Sequence, residues 1–188
     1  MTDAAIARTV SGTLVGTTVD TDRGPVHRFA GVPFGVAPVG PGRFRRAEPA
    51  PPWTGEQPAT APGPSPMQSV GGPYSGLVPG MSATQVDEDC LTLNVWRPAR
   101  PAGAPLPVML WIYGGAFVTG GGANATYDGA RLCAEQGVIV VTANYRVGAL
   151  GFLDLRSLPG GDGADTNCGL RDQVLALHWV PMNLIREV

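Results

Sequence analysis

The chain has 188 residues and a formal net charge of -2, with 44% hydrophobic and 15% charged residues. That is enough apolar content for one domain with a core, and it excludes a disordered or strongly solvated chain. All 13 basic residues are Arg, and no basic field exists to attract nucleic acid or an anionic membrane surface.

In chain order, the first third reads as β structure. Thr9-Val10 and Gly12-Thr13-Leu14-Val15-Gly16 alternate and turn, and Val26-His27-Arg28-Phe29-Ala30 alternates again, as half-buried antiparallel strands do. Residues 33–79 are so crowded with Pro and Gly that regular elements there must be few and short. A long irregular stretch of this kind within a domain suits a functional or surface-wrapping role.

Leu91-Thr92-Leu93-Asn94-Val95-Trp96 alternates as a strand. The apolar runs 107–113 and 138–144 predict strands covered on both faces, as in a mostly parallel sheet. Between them a short helix is expected, started by Asp128, turning Leu132 and Cys133 inward and ended by Gly137. Strand, helix, strand is a crossover unit, so the fold class is α/β. A second helix should begin near Cys168 with Leu170, Val174 and Leu177 on one face. It should end or kink at Pro181, because an interior proline costs about 3 kcal/mol.

No basic leader with an apolar core opens the chain and no run is long enough to span a bilayer, which predicts a cytoplasmic protein. Cys90, Cys133 and Cys168 fit no zinc spacing and read as isolated buried thiols.

The segment with most chemical content is Tyr113-Gly114-Gly115-Ala116-Phe117. It follows a predicted buried strand, at the carboxyl edge where open α/β sheets place their sites. Consecutive residues with little or no side chain allow a sharp bend that presents backbone N–H groups to a ligand oxygen. An acyl-transfer enzyme needs such donors for the oxyanion of its tetrahedral intermediate, each contributing about 3–4 kcal/mol. The pentapeptide alone also suits a glycine turn chosen for tight packing. No Gly-Lys-Ser/Thr follows to support phosphate binding.

Five separated stretches carry a resemblance. They are Phe29-Ala30-Gly31-Val32-Pro33-Phe34-Gly35 running on to Pro41-Gly42-Arg43-Phe44; Glu88-Asp89-Cys90-Leu91-Thr92-Leu93-Asn94-Val95; Trp111-Ile112-Tyr113-Gly114-Gly115-Ala116-Phe117; Asn144-Tyr145-Arg146-Val147-Gly148-Ala149-Leu150-Gly151-Phe152; and Asn167-Cys168-Gly169-Leu170-Arg171-Asp172-Gln173. In order and spacing they resemble the N-terminal part of the type-B carboxylesterases, the α/β-hydrolases that include the cholinesterases. The resemblance implies a small antiparallel N-terminal β region leading into a mixed, mostly parallel sheet with flanking helices. It makes residues 1–188 a single, incomplete domain that stops before the nucleophile elbow.

It further implies that Gly115 and Ala116 supply oxyanion-hole amides, with Gly114 shaping the turn. Arg43 with Glu88, and Arg146 with Asp172, match structural ion pairs of the buried kind, which hold register more than they add stability. The family's cysteine upstream of Cys90 would fall near Met67, so its disulfide cannot form and Cys90 is expected to be free, in keeping with a reducing cytoplasm. By resemblance a serine attacks the ester carbonyl of a small-molecule substrate, a histidine–glutamate pair moves the proton, and water releases the acid with no metal or organic cofactor.

The elbow Gly-x-Ser-x-Gly is absent: none of Ser11, Ser65, Ser69, Ser75, Ser82 or Ser157 has glycines two before and two after. Ser75-Gly76 comes nearest. His27 and His178 read as structural, and Asp162 and Asp165 as turn residues. The chain alone is therefore expected to be inactive or nearly so. The tail from Pro181 loses the family's helix pattern, as a frameshift or premature stop would cause. Two other readings stay open: a non-catalytic interaction protein of the same family, and a truncated product with no function of its own. An interrupted sheet would leave an uncovered strand edge, which predicts aggregation.

Overall fold

The computed structural model describes residues 4–70, 85–100 and 104–184. Ser75, Gly76, Ser82 and the last four residues of the tail lie outside them. Strands β1 (Ala4–Thr9) and β2 (Gly12–Val19) form a hairpin, and β3 (Val26–Pro33) continues it. Thr9 and Gly12 close the turn through the Thr9 hydroxyl, which donates to Gly12 O at 2.8 Å. As the Pro and Gly content predicts, regular structure is sparse after β3 among the described residues. There are β4 (Glu56–Pro58), β5 (Ser65–Pro66), a 3-10 turn at Gly40–Gly42, and then β6 (Val86–Asp87).

The second half holds β7 (Thr92–Pro98), β8 (Val108–Ile112), α1 (Ala130–Gln136), β9 (Ile139–Ala143), α2 (Gly148–Phe152) and α3 (Cys168–Leu184). The main sheet is mixed, in the order β1-β2-β3-β7-β9-β8, with β4 beside β2. Within this sheet parallel pairing joins β8 to β9 across the α1 crossover and the short β4 to β2, and its other pairs are antiparallel; β5 and β6 pair parallel apart from it. The main core runs from Leu14, Phe29, Val32 and Phe34 through Leu91, Leu93 and Val141 to Ala176, Trp179 and Val180.

Four expectations need correction. β9 is buried throughout, but β8 is covered on one face only, with Met109 and Trp111 at 38% and 43% exposure. In α1 Cys133 is buried while Leu132 stays 39% exposed. Asp128 does bond the first helical N–H, that of Ala130, at 2.8 Å, and Gly137 ends the helix in the left-handed conformation at φ 65°.

In α3 the predicted apolar stripe is the exposed one, with Leu170, Val174 and Leu177 at 44–52% exposure. The buried face is Cys168, Gly169, Asp172, Ala176, Trp179, Val180 and Asn183. Of the two outcomes expected at Pro181, an end or a kink, the end is overturned: α3 continues to Leu184. A proline there removes only the bond to the Leu177 carbonyl. Buried Trp179, Val180 and Asn183 flank it and hold the last turn to the core. Asn183 also donates to Trp179 O and accepts from the Ser11 N–H and hydroxyl.

Candidate active site

The Gly-Gly-Ala segment leaves β8 at its carboxyl end and turns at once. Gly115 O accepts from Val118 N and Thr119 N at 3.0 and 3.1 Å, which curls the chain into a tight loop. Gly115 has φ 145°, and a Cβ on it would lie 1.9 Å from Thr119 O, so no other residue fits. Gly114 is different: a Cβ there would meet nothing within 4 Å. Ala116 (φ 54°) and Phe117 (φ 61°) both sit in the left-handed region, at about 1–3 kcal/mol each for residues with a side chain. Among the described residues the Gly115 and Ala116 N–H groups have no hydrogen-bond acceptor. Ala116 is exposed and Gly115 half-buried. Two amides on a bent, partly exposed turn can receive an anionic oxygen without breaking any bond of the fold.

Strain of this size persists only if the surroundings impose it, and three braces do so. At the base, Tyr113 and Tyr145 stack with ring centroids 4.4 Å apart and each hydroxyl donates to the other's backbone carbonyl, at 2.6 and 3.0 Å. Burial pushes the Tyr113 phenol well above its ordinary range, so it remains a donor. On the outer side Gly148 N, at the start of α2, donates to Phe117 O at 2.7 Å, and the Phe117 and Phe152 rings meet at 5.0 Å. On the returning strand of the loop, Gly122 O accepts from the Thr142 hydroxyl (2.7 Å) and Gly122 N donates to Asn144 Oδ1 (2.8 Å). Asn144 in turn donates to Pro64 O and Cys90 O, both at 2.9 Å.

Gln68 supplies a further contact. Its Oε1 accepts from Gly120 N (2.8 Å) and the Thr119 hydroxyl, and its Nε2 donates to Gly120 O (2.7 Å) and Pro66 O (2.9 Å). Tyr113, Asn144 and Tyr145 stand within the quoted motifs without a role assigned to them, and Gln68 lies in none of those motifs. Their long-range contacts span 22 to 80 residues, and no local periodicity signals such pairing.

Both ion pairs form, in different settings. Arg146 and Asp172 are buried at 4% and 0% exposure, joined by bonds from Arg146 Nε, Nη2 and backbone N at 2.7–3.0 Å. Burial pushes the Asp172 carboxyl up, against the lowering by the Arg146 bonds. Arg146 is also disfavoured by burial, yet the bond and charge of Asp172 hold it above its ordinary value. The pair anchors α3 beneath the β9–α2 connection. Gly151 and Gly169 both approach Arg146 O so closely that a Cβ would come within 2.3–2.4 Å. The Arg43–Glu88 pair is not buried, which corrects the expectation: its side chains are 44% and 21% exposed. Hydrogen bonding from Arg43 lowers the Glu88 carboxyl.

Cys90, Cys133 and Cys168 are free and buried, and Met67 is exposed on the surface. Burial raises the Cys90 thiol to about 12, with the Asp172 charge adding to it, and raises Cys133 to about 12. No serine, histidine and acid come together among the described residues. Ser11 bonds Asn183, His27 Nδ1 contacts the Thr18 hydroxyl at 3.2 Å, and His178 is exposed on α3. Asp165 donates its N–H to Phe44 O, accepts the Arg46 N–H at its carboxylate and faces the Cys168 thiol with its carbonyl, so it holds turns together. Among the described residues no group of three His, Cys, Asp or Glu is placed to hold a metal, and no helix is long and apolar enough to cross a membrane. Two sizeable hollows lie elsewhere, about 210 Å³ beside Arg28, Asn94 and Asp128 and about 180 Å³ against Trp111 and Leu132. Neither is lined by Gly115 or Ala116.

Comparison with known proteins gives concordant matches. The chain is 44% identical over 167 residues to acetylcholinesterase of Danio rerio, covering 87% of this chain and 26% of that protein. It is 44% identical over 168 residues to carboxylesterase 3 of Homo sapiens, covering 87% and 28%. It is 42% identical over 182 residues to para-nitrobenzyl esterase of Bacillus subtilis (strain 168), covering 95% and 35%. The chain thus spans between about a quarter and a third of the length of these relatives. The profile of the Carboxylesterase family matches residues 3–186, and with these relatives it shows that the chain belongs to the carboxylesterase family.

Proposed function

We propose that this chain supplies the oxyanion-binding segment of a serine-type hydrolase of small carboxylic esters, and that these 188 residues do not turn esters over by themselves. The observation that carries the reading is the Gly115–Ala116 turn at the end of β8. Its two amides have no acceptor among the described residues, while the turn is held strained by Tyr113, Tyr145 and Gly148. In the reaction, a carbonyl oxygen gaining negative charge as the acyl carbon becomes tetrahedral sits against these donors, which bind it more tightly than the neutral ester. The nucleophile, its histidine and its acid have no candidates among the described residues. The reaction needs neither nucleic acid nor membrane, and no cofactor. The three free thiols fit a reducing compartment such as the cytoplasm.

The test is a titration of the ¹⁵N-labelled chain with 1-butanesulfonate, a tetrahedral anion that stays charged throughout. The Gly115 and Ala116 amide resonances should shift together and saturably. Shifts absent there, or spread evenly over the protein, contradict the reading. In parallel, the chain should hydrolyse p-nitrophenyl butyrate no faster than buffer, and turnover at enzyme-like rates contradicts the second clause.

A further inference from the structure

The loop that carries Gly115 and Ala116 is anchored on the β-sheet side by core residues, but its far shoulder, Thr119-Gly120, is held by a side chain from outside the sheet. Gln68 lies in the irregular segment after β5, 52 residues away, and is half-buried. Its carboxamide meets both backbone groups of Gly120, as a neighbouring strand would, and also takes the Thr119 hydroxyl and Pro66 O. The amide orientation is unambiguous, because Gly120 N can only donate and Pro66 O can only accept. All the polar capacity used is charge-neutral, so solvent salt does not weaken it.

What Gln68 holds is one bond away from the candidate donors. Thr119 N donates to Gly115 O, and Thr119 O sits where a Gly115 Cβ would be. The position of Thr119 therefore sets the Gly115 peptide and, through it, the direction of the Ala116 N–H. Gly120 cannot relax independently, since at φ 118° it packs against the Tyr113 ring. The carboxamide ties this irregular segment directly to the loop.

We propose that Gln68 is a positioning residue for oxyanion binding: its carboxamide clamps Thr119-Gly120 and so keeps the Gly115 and Ala116 amides convergent on one anion. This rests on the reading of those amides as oxyanion donors. Gln68 touches no substrate atom and acts through Thr119.

The experiment is the 1-butanesulfonate titration of the 188-residue chain, comparing wild type, Gln68→Met and Gln68→Glu at neutral pH and again below the ordinary glutamate pKa of about 4.3. Melting temperature is recorded for each. Gln68→Met should bind about tenfold more weakly at both pH values while melting within a few degrees of wild type, because misplacing a donor weakens binding less than deleting it. A protonated carboxyl can both donate and accept, so at acid pH Gln68→Glu should bind clearly more tightly than Gln68→Met, with no charge difference between them. Equal affinity of folded Gln68→Met and wild type overturns the proposal, and so does acid Gln68→Glu behaving as Gln68→Met. If Gln68→Met does not fold, the ranking of acid Gln68→Glu against wild type decides: a loss there as large as at neutral pH overturns it. Failure of wild type itself to shift Gly115 and Ala116 instead overturns the oxyanion reading.

Discussion

Tyr113 and Tyr145 lock the carboxyl ends of β8 and β9 together by each donating its hydroxyl to the other's backbone carbonyl across stacked rings. Both are 2% exposed, so neither carbonyl has water as an alternative. Tyr113→Phe should destabilise the protein by about 1–3 kcal/mol, because Tyr145 O is left buried and unpaired. Tyr145→Phe should act similarly on Tyr113 O. The ring stacking survives in both variants, and because each removes a different hydrogen bond the double variant should cost more than either single one. Urea denaturation of the four proteins measures this.

Gly115 and Gly114 are adjacent but should respond oppositely to alanine. Gly115→Ala places a Cβ 1.9 Å from Thr119 O at φ 145°, so the loop must rebuild. The variant should lose at least about tenfold in 1-butanesulfonate affinity. Gly114→Ala meets nothing within 4 Å and should bind as wild type does. Amide shift titrations of the two variants check the contrast.

The two ion pairs should differ as much as their burial does. Asp172→Asn leaves the buried Arg146 guanidinium without a counter-charge and should cost on the order of 3–5 kcal/mol. Glu88→Gln removes one end of a largely solvated pair and should leave the denaturation midpoint nearly unchanged. The small effect of Glu88 has a sign: its carboxyl is lowered in the fold, so its contribution is present at neutral pH and fades as pH falls below its unfolded value.

The buried thiols predict an alkaline weakness. An unfolded thiol ionises near 9.0, whereas Cys90 and Cys133 in the fold do so only at about 12. The folded state therefore holds these protons more tightly, and stability should be constant below pH 9 and fall as pH rises toward 12. Urea midpoints recorded across that range test it, and Cys90→Ala should flatten part of the fall. At neutral pH a disulfide exchange reagent should label the native chain slowly, since the thiolate is the reactive form.

What the sequence disclosed follows the reach of each signal. Gly115 and Gly137 were legible because a turn that needs a positive φ, 145° and 65° here, is a local demand. The β8–α1–β9 crossover was legible from its runs and breaks. The face of α3 was not, since Leu170, Val174 and Leu177 have the right period but the helix also carries Ala176, Trp179 and Val180. Periodicity cannot say which stripe packs, and the stripe that does is interrupted by Asp172 and Asn183, which are buried with partners from elsewhere. Pro181 misled for a related reason, because packing near a helix end outweighed one missing bond. Gln68 and Asn144 were invisible as braces, since a side chain bonding a distant backbone leaves no pattern in its own neighbourhood.

A crystal structure of the chain with 1-butanesulfonate shows whether the amides of Gly115 and Ala116 converge on an oxyanion. One sulfonate oxygen should lie about 2.7–3.1 Å from both nitrogens at the carboxyl end of β8. Electron density that puts either N–H on an acceptor of its own fold, or that holds the anion at another surface with this turn empty, would contradict that convergence.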